Sequence, residues 1–249
     1  MPDLTWTIDN MQIKQVVELP AGELLQSMTA AGPPDTIRDM GGFAPHFADE
    51  NGVMKGWIQS FVVTVGGKTY FIEGGAGNGR PRTSFTAWDN LQTDFMERMT
   101  TQGIDPETVD YVLSSHLHMD HIGWFTQAGD NGDWVPTFPN ARYIIVQEAY
   151  NLWHGRETNP DQMAAFKESV EPVVTAGLVD FVDNKYQLND HMKLIPTPGH
   201  TPHHVAIQFT SGGQTALFPG DVFPHPAHII EPTWAFASDF DPAGAVTTR

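Results

Sequence analysis

The stretch Ser114-Ser115-His116-Leu117-His118-Met119-Asp120-His121-Ile122-Gly123-Trp124 carries three imidazoles and a carboxylate at 116, 118, 120 and 121. The apolar run Tyr111-Val112-Leu113 before it reads as a buried strand, so these side chains fall where a strand gives way to a loop. An extended continuation sends residues two apart to one face, about 6–7 Å apart, which groups His116, His118 and Asp120. His121 breaks the alternation. With Asp120 and His121 adjacent and pointing apart, one short loop serves two metal ions, two imidazoles for one and a carboxylate with an imidazole for the other. A lone histidine has many structural uses. Three crowded ones repel when protonated and, when neutral, need partners for both ring nitrogens, which a divalent cation supplies to the whole set.

A loop this short cannot surround two ions, so further ligands must come from distant segments. His200 lies in LIPTPGHTPHH, where Pro196, Pro198 and Gly199 follow a strand-like run at 192–195 and form a stiff turn. Asp221 follows Ala216-Leu217-Phe218, then Pro219 and Gly220. Three strand ends thus deliver ligands to one edge.

The motifs HLHMDH (116–121), PGH (198–200) and GD (220–221), in that order, make the chain resemble the metallo-β-lactamase-fold metal-dependent hydrolase superfamily, in its lactonase and organophosphate-hydrolase branch. The resemblance implies an α/β fold: a four-layer αβ/βα sandwich of two mixed β-sheets flanked by helices, with the site along one edge. It also implies two divalent metal ions, zinc first, with iron or manganese as alternatives. His116, His118 and His200 would hold the first ion, Asp120 and His121 the second, and Asp221 would bridge them. Relatives usually complete the second site with a histidine tens of residues past the bridging aspartate, and none follows before Arg249. Asp239 or Asp241 can cap a helix with Pro242 in its first turn, yet the remaining AGAVTTR shows no apolar face and no closing glycine. The expectation is a single domain over 1–249, truncated at the C-terminus and lacking its last helix and metal-binding loop. His225 and His228 are the nearest replacement ligands, with a surface or pocket role as the alternative.

At 249 residues and 40% hydrophobic content the chain can bury a sizeable core. The ligand motifs must meet in space, and no linker or low-complexity run separates them. A net charge of −17 argues against nucleic acid, which calls for a basic patch; the partner expected from the hydrolase reading is a small-molecule substrate. With no cysteine, disulfides, thiol nucleophiles and iron–sulfur ligation are excluded. No run approaches the roughly 18 apolar residues of a membrane span, and MPDLTWTIDN has no signal-peptide pattern, so a cytoplasmic protein without a membrane partner is expected. Apolar surface left by a truncation would promote association, most simply as a homodimer.

Around the ligands, Trp57–Val65 and Lys68–Ile72 read as a hairpin across Gly66-Gly67. The following EGGAGNGRPR lacks the Lys-Ser/Thr of a phosphate loop and reads as a flexible loop. Glu73 and Gly74 within it stand where relatives carry an aspartate and a glycine that support the metal loops from behind. Residues 90–101 place Leu91, Phe95 and Met99 on one helix face, and 162–176 reads as a second helix. Residues 124–139 form a loop long enough to roof a pocket. The aromatics Trp124, Trp134, Phe138, Phe223 and Trp234 are candidates for an apolar substrate wall or for the core. Trp124, Phe223 and His225 are taken as substrate-binding.

Two cations about 3.5–4 Å apart acidify a shared water and polarise the bond under attack, so hydrolysis by a metal-bridging hydroxide is the expected chemistry. Asp120 is the catalytic candidate, orienting the nucleophile or passing a proton to the leaving group. The expected substrate is a small ester, lactone or related molecule. Lactonase relatives often carry a tyrosine where Phe223, Pro224 and His225 stand, and no lysine adjoins Asp221 as in β-lactamases. The alternatives are a di-iron redox protein of the same fold and a non-catalytic metal-binding fragment.

Overall fold

The computed structural model describes residues 4–29 and 34–249. Strand β1 (Thr5–Ile8) turns back into β2 (Met11–Pro20), and helices α1 (Gly22–Met28) and α2 (Pro34–Met40) lead to the hairpin β3 (Trp57–Val65) and β4 (Lys68–Ile72). This hairpin turns at Gly66-Gly67, as its sequence requires. After helix α3 (Phe95–Thr101), strand β5 (Tyr111–Leu113) runs parallel to β4 and ends at the ligand-rich stretch. That stretch is not extended throughout. Beyond His118 it coils into a short helix, α4 (Met119–Ile122), so Asp120 and His121 do not point apart as strand geometry predicts.

A small hairpin, β6 (Thr126–Ala128) and β7 (Trp134–Pro136), precedes β8 (Arg142–Val146), helix α5 (Gln147–Trp153), helices α6 (Pro160–Ser169) and α7 (Glu171–Thr175), and strand β9 (Val179–Val182). The single helix expected over 162–176 is thus two. Asn159 caps the first one residue ahead of Pro160, and the break at Val170 lets Pro172, which has no N–H, sit in the first turn of the second. The helix expected from 90 begins at 95, because Asn90 takes a left-handed backbone and the Thr93 N–H is held by Asn78 Oδ1 at 2.8 Å.

The remaining strands, β10 (Met192–Pro196), β11 (Val205–Ser211) and β12 (Gln214–Phe218), are followed by helices α8 (Ala227–Ile230) and α9 (Pro242–Thr248). Asp241 caps α9 by accepting the Gly244 N–H, the cap that its sequence offers. The strands form a seven-stranded mixed sheet, ordered β1-β2-β3-β4-β5-β8-β9, and a three-stranded sheet, β10-β11-β12. The α/β architecture matches expectation, except that the smaller sheet is antiparallel throughout rather than mixed.

Alternation along β4 shows how the layers pack. Tyr70 meets Phe209 of the second sheet edge-on with ring centres 4.9 Å apart, while its neighbour Phe71 meets Phe95 of α3 on the opposite face. Both faces of the large sheet are therefore buried, and Tyr70, Phe71 and Phe95 are fully covered. Burial of side chains of this size contributes on the order of 1.5–3 kcal/mol each. A smaller cluster of Ile37, Phe43, Ala48, Met54 and Ala227 packs α2 and α8 together. Among the described residues no helix is long and apolar enough to cross a membrane.

Candidate metal centre

Strands β4, β5, β10 and β12 all end on one edge, and each hands over a polar side chain there: Glu73, the group from His116 to His121, His200 and Asp221. His118 Nδ1 lies 2.9 Å from His116 Nε2 and 3.0 Å from His200 Nε2. His121 Nε2 lies 3.6 Å from Asp120 Oδ2 and 3.5 Å from Asp221 Oδ1, while Asp221 Oδ2 lies 3.4 Å from His200 Nε2. Asp221 thus turns one oxygen to each of two groups, His116 with His118 and His200, and His121 with Asp120. His116, His121 and Asp221 also form a compact set of donor atoms. The helical turn of α4 is what brings Asp120 and His121 to the same side.

Hydrogen bonds fix the outward ring nitrogens. Glu73 Oε2 accepts from His121 Nδ1 at 2.7 Å, and Asp239 Oδ1 accepts from His200 Nδ1 at 2.9 Å. A carboxylate accepts, so each of these rings presents an unprotonated Nε2 to the centre whenever it is neutral. His116 Nδ1 pairs with Ser115 Oγ at 3.0 Å. Glu73, at φ +62°, also accepts the Ser115 N–H and the Ser114 hydroxyl, gripping the ligand loop from behind. Its strained backbone persists because these contacts over-determine it.

His204, not picked out by sequence reasoning, accepts the Asp221 N–H on Nε2 at 3.2 Å. Its Nδ1 then carries the proton and donates to Thr197 Oγ1 at 2.7 Å. Burial and the His200 imidazole push His204 down to about 3, so it is neutral. The repeated histidines of GHTPHH held that signal, without distinguishing a ligand from a support.

Charge demands in the cluster conflict. Burial and then the neighbouring imidazoles, His121 foremost for His116 and His200 for His118, hold both well below the usual histidine range. Burial would lower His121 too, yet Asp221, Asp120 and Glu73 outweigh it and raise it well above that range. Burial would raise Asp221, and His121 with His200 overcome it, while Asp120 is raised by burial and by Asp221. Three imidazole nitrogens converging at 2.9–3.0 Å cannot all be satisfied by one another, because His118 Nδ1 has at most one proton for two facing acceptors. A tetrahedral ion with bonds of about 2.0–2.1 Å sets its nitrogens roughly 3.3 Å apart, so the donor set fits a divalent cation after a shift of a few tenths of an ångström.

The centre forms the floor of a cavity of about 850 Å³, onto which His118, Asp120, His121 and Asp221 open. Its walls include Trp57 and Phe61 of β3, Phe85 and Trp88 from the loop after β4, Trp153 of α5, and Phe236 and Phe240 ahead of α9. Among the described residues, no lysine or arginine lines it.

Of the three substrate-binding expectations, the structure brings only Phe223 to this wall. Trp124 stacks on Phe95 with ring centres 5.0 Å apart and donates its indole N–H to Glu18, so it belongs to the core. His225 is buried: Nε2 donates to Phe47 O at 2.7 Å and Nδ1 accepts the Ala227 N–H. With both nitrogens engaged it is placed neither on the cavity nor among the converging donors. His228 points Nδ1 at His225 O and is likewise absent from the donor groups. Trp134 lies under the Arg80 guanidinium, Phe138 is fully buried against Phe71, and Trp234 lies against His228. The cavity aromatics that sequence reasoning missed sit in a strand, a helix and loops whose patterns suit a core equally well. The expected flexible loop after β4 is mostly interior: residues 73–77 are buried and Arg80 and Arg82 nearly so.

Sequence comparison finds N-acyl homoserine lactonases. One from Bacillus sp is 32% identical over 105 residues, covering 42% of this chain and 34% of its own length. Another from Bacillus cereus is 30% identical over 136 residues, 55% of this chain and 45% of its own length. The matched stretches therefore span less than half of those curated relatives. Structural comparison finds the hydrolase AbOPH of the beta lactamase superfamily, with a TM-score of 0.78 at 21% identity over 99% of this chain and 83% of that one. AidC, a dizinc quorum-quenching lactonase, matches with a TM-score of 0.72 at 18% identity and the same coverage of both chains. At such identities the structural likeness is one of fold. The family model of the metallo-beta-lactamase superfamily matches residues 58–247, spanning every strand end that carries a donor, and the chain belongs to that superfamily.

Proposed function

We propose that the protein is a binuclear metal-dependent hydrolase acting on a small neutral ester, lactone or related substrate. The observation that carries this reading is the pair of donor groups joined by Asp221 on the floor of an apolar cavity. His116, His118 and His200 are assigned to one ion and Asp120 and His121 to the other, with Asp221 shared; zinc suits this nitrogen and oxygen set. Bound there, two such ions acidify water and polarise the substrate oxygen.

The protein side chains supply the rest. Asp120 keeps 23% of its side-chain surface open to the cavity, where it can orient the attacking water and carry its proton toward the leaving group. Phe223 and the other aromatic walls exclude water and hold the apolar part of the substrate. Among the described residues no lysine or arginine lines the cavity walls, so away from the ions an anionic part of a substrate would find no counter-charge, which favours a substrate whose remainder is neutral and apolar. An N-acyl homoserine lactone, named for the relatives, has a neutral lactone head and an apolar tail and suits this description.

The test is turnover by the zinc-loaded protein on a panel of acyl lactones, aryl esters and phosphotriesters, with and without chelator. Turnover of at least one neutral class, lost with chelation, is expected. Absence of turnover across the panel by protein holding its metal would overturn the assignment.

A further inference from the structure

The side chains of Arg249 and Asp239 have no exposed surface, and together they connect two of the ligand-bearing loops. Arg249 Nη2 donates to Asp239 Oδ2 at 3.2 Å, and Asp239 Oδ1 accepts from His200 Nδ1 at 2.9 Å. Arg249 Nε donates to the carbonyl of Val222, the residue after Asp221, at 2.6 Å, and Nη1 donates to Trp234 O at 2.7 Å. The backbone repeats the connection: Phe240 N–H donates to His200 O and Asp241 N–H to Gly199 O, both at 3.0 Å. Gly199, at φ +139°, lies so close to Ala245 that a Cβ would overlap its backbone, so α9 rests directly on the PGH turn.

We propose that Arg249 is a positioning residue for the metal centre, acting through Asp239 on His200 and through Val222 on Asp221. This rests on the metal-centre reading given above. A ligating histidine holds its orientation and tautomer by donating its second nitrogen to a carboxylate. A buried carboxylate in turn needs charged or hydrogen-bonded partners, which Arg249 and the Phe236 N–H, at 3.2 Å, supply. The planar guanidinium spans three acceptors on separate segments, Asp239, Val222 and Trp234. An ammonium at the same place is a compact point charge without that fork. The result is that His200 and Asp221, which come from different strand ends, are set against one another by a single side chain.

The test uses the full 249-residue chain and reads metal binding rather than turnover. Zinc affinity is measured by chelator competition, and the visible absorption of the cobalt-loaded protein is recorded, for the wild type, Asp239→Asn, Arg249→Lys and the double variant, with Thr247→Ala on the same helix as control. Each single variant is expected to weaken binding of the tightest ion by about 10–100-fold and to shift the cobalt bands. The double variant is expected to lose less than the sum of the two single ones, because they share the Asp239 route to His200 while the Val222 route depends on Arg249 alone. Thr247→Ala, whose exposed hydroxyl bonds along the helix to Ala243 O, is expected to match the wild type. Should the variants fail to fold, zinc added to the wild type is expected to shift the Arg249 Nε–H resonance, and an unmoved resonance overturns the proposal. Folded variants with wild-type affinity and spectrum also overturn it. A wild type that retains no ion overturns the metal-centre reading and this inference with it.

Discussion

The Glu18 carboxylate accepts the Trp124 indole N–H at 2.7 Å although 106 residues separate them. Glu18 sits where the pairing of β2 with β3 shifts register, and it also accepts the backbone N–H groups of Ala76 and Gly77 at 2.7 and 2.9 Å. One buried carboxylate therefore ties the loop after β4 to the segment that follows the candidate ligands at 116–121. That segment is tied again by Gly74 N–H to His121 O at 2.6 Å and Trp124 N–H to Gly74 O at 2.6 Å.

Burial pushes Glu18 up to about 7 against its three N–H donors and Arg80. Between its ordinary value of 4.5 and about 7 the folded protein keeps a proton that the unfolded chain releases. Stability from this group is thus fully present below 4.5 and lost as pH rises through 7. Glu18→Gln has no such dependence. Its stability relative to wild type, from urea unfolding of metal-free protein, should rise by about 2 kcal/mol between about pH 5.5 and 8. A constant difference at the two values contradicts this.

Gly123 offers a second test of the same joint. A Cβ there would overlap the backbone of Ala76, and neither segment can retreat without breaking the Gly123 N–H bond to Gly75 O at 2.8 Å. Gly123→Ala should cost about 1–3 kcal/mol and accelerate loss of bound metal, because the strain falls on the turn that carries Asp120 and His121. Unchanged melting temperature and unchanged metal release would show that the joint is not tight.

The convergence of these side chains was legible because three imidazoles and a carboxylate crowd 116–121, and because His200 and Asp221 each follow a recognisable strand. The geometry between them was less so. Strand alternation misjudged Asp120 and His121, which ride on a helical turn, and nothing local to Glu18 or Asp239 marks a residue whose partners lie tens of residues away. The cavity wall was the least legible part. Trp124 and Phe223 look alike in sequence, and only the chain path puts one in the core and the other on the cavity.

Phe223→Ala tests that distinction. Removing a wall ring should raise KM about 10-fold for substrates with an apolar tail and change kcat by less than about threefold, since ground-state and transition-state binding are lost alike. Trp124→Phe should lower stability, through the lost bond to Glu18, and leave KM near wild type. A KM effect at Trp124 and none at Phe223 would reverse the assignment.

Two ions shared across Asp221 would be read from the metal content of the protein after zinc loading and removal of excess, for wild type and Asp120→Ala. Two equivalents per chain are expected in the wild type and one in Asp120→Ala, with His116, His118 and His200 still holding theirs. Retention of no more than one equivalent by the wild type, or equal loss of both in Asp120→Ala, would contradict the two-ion centre.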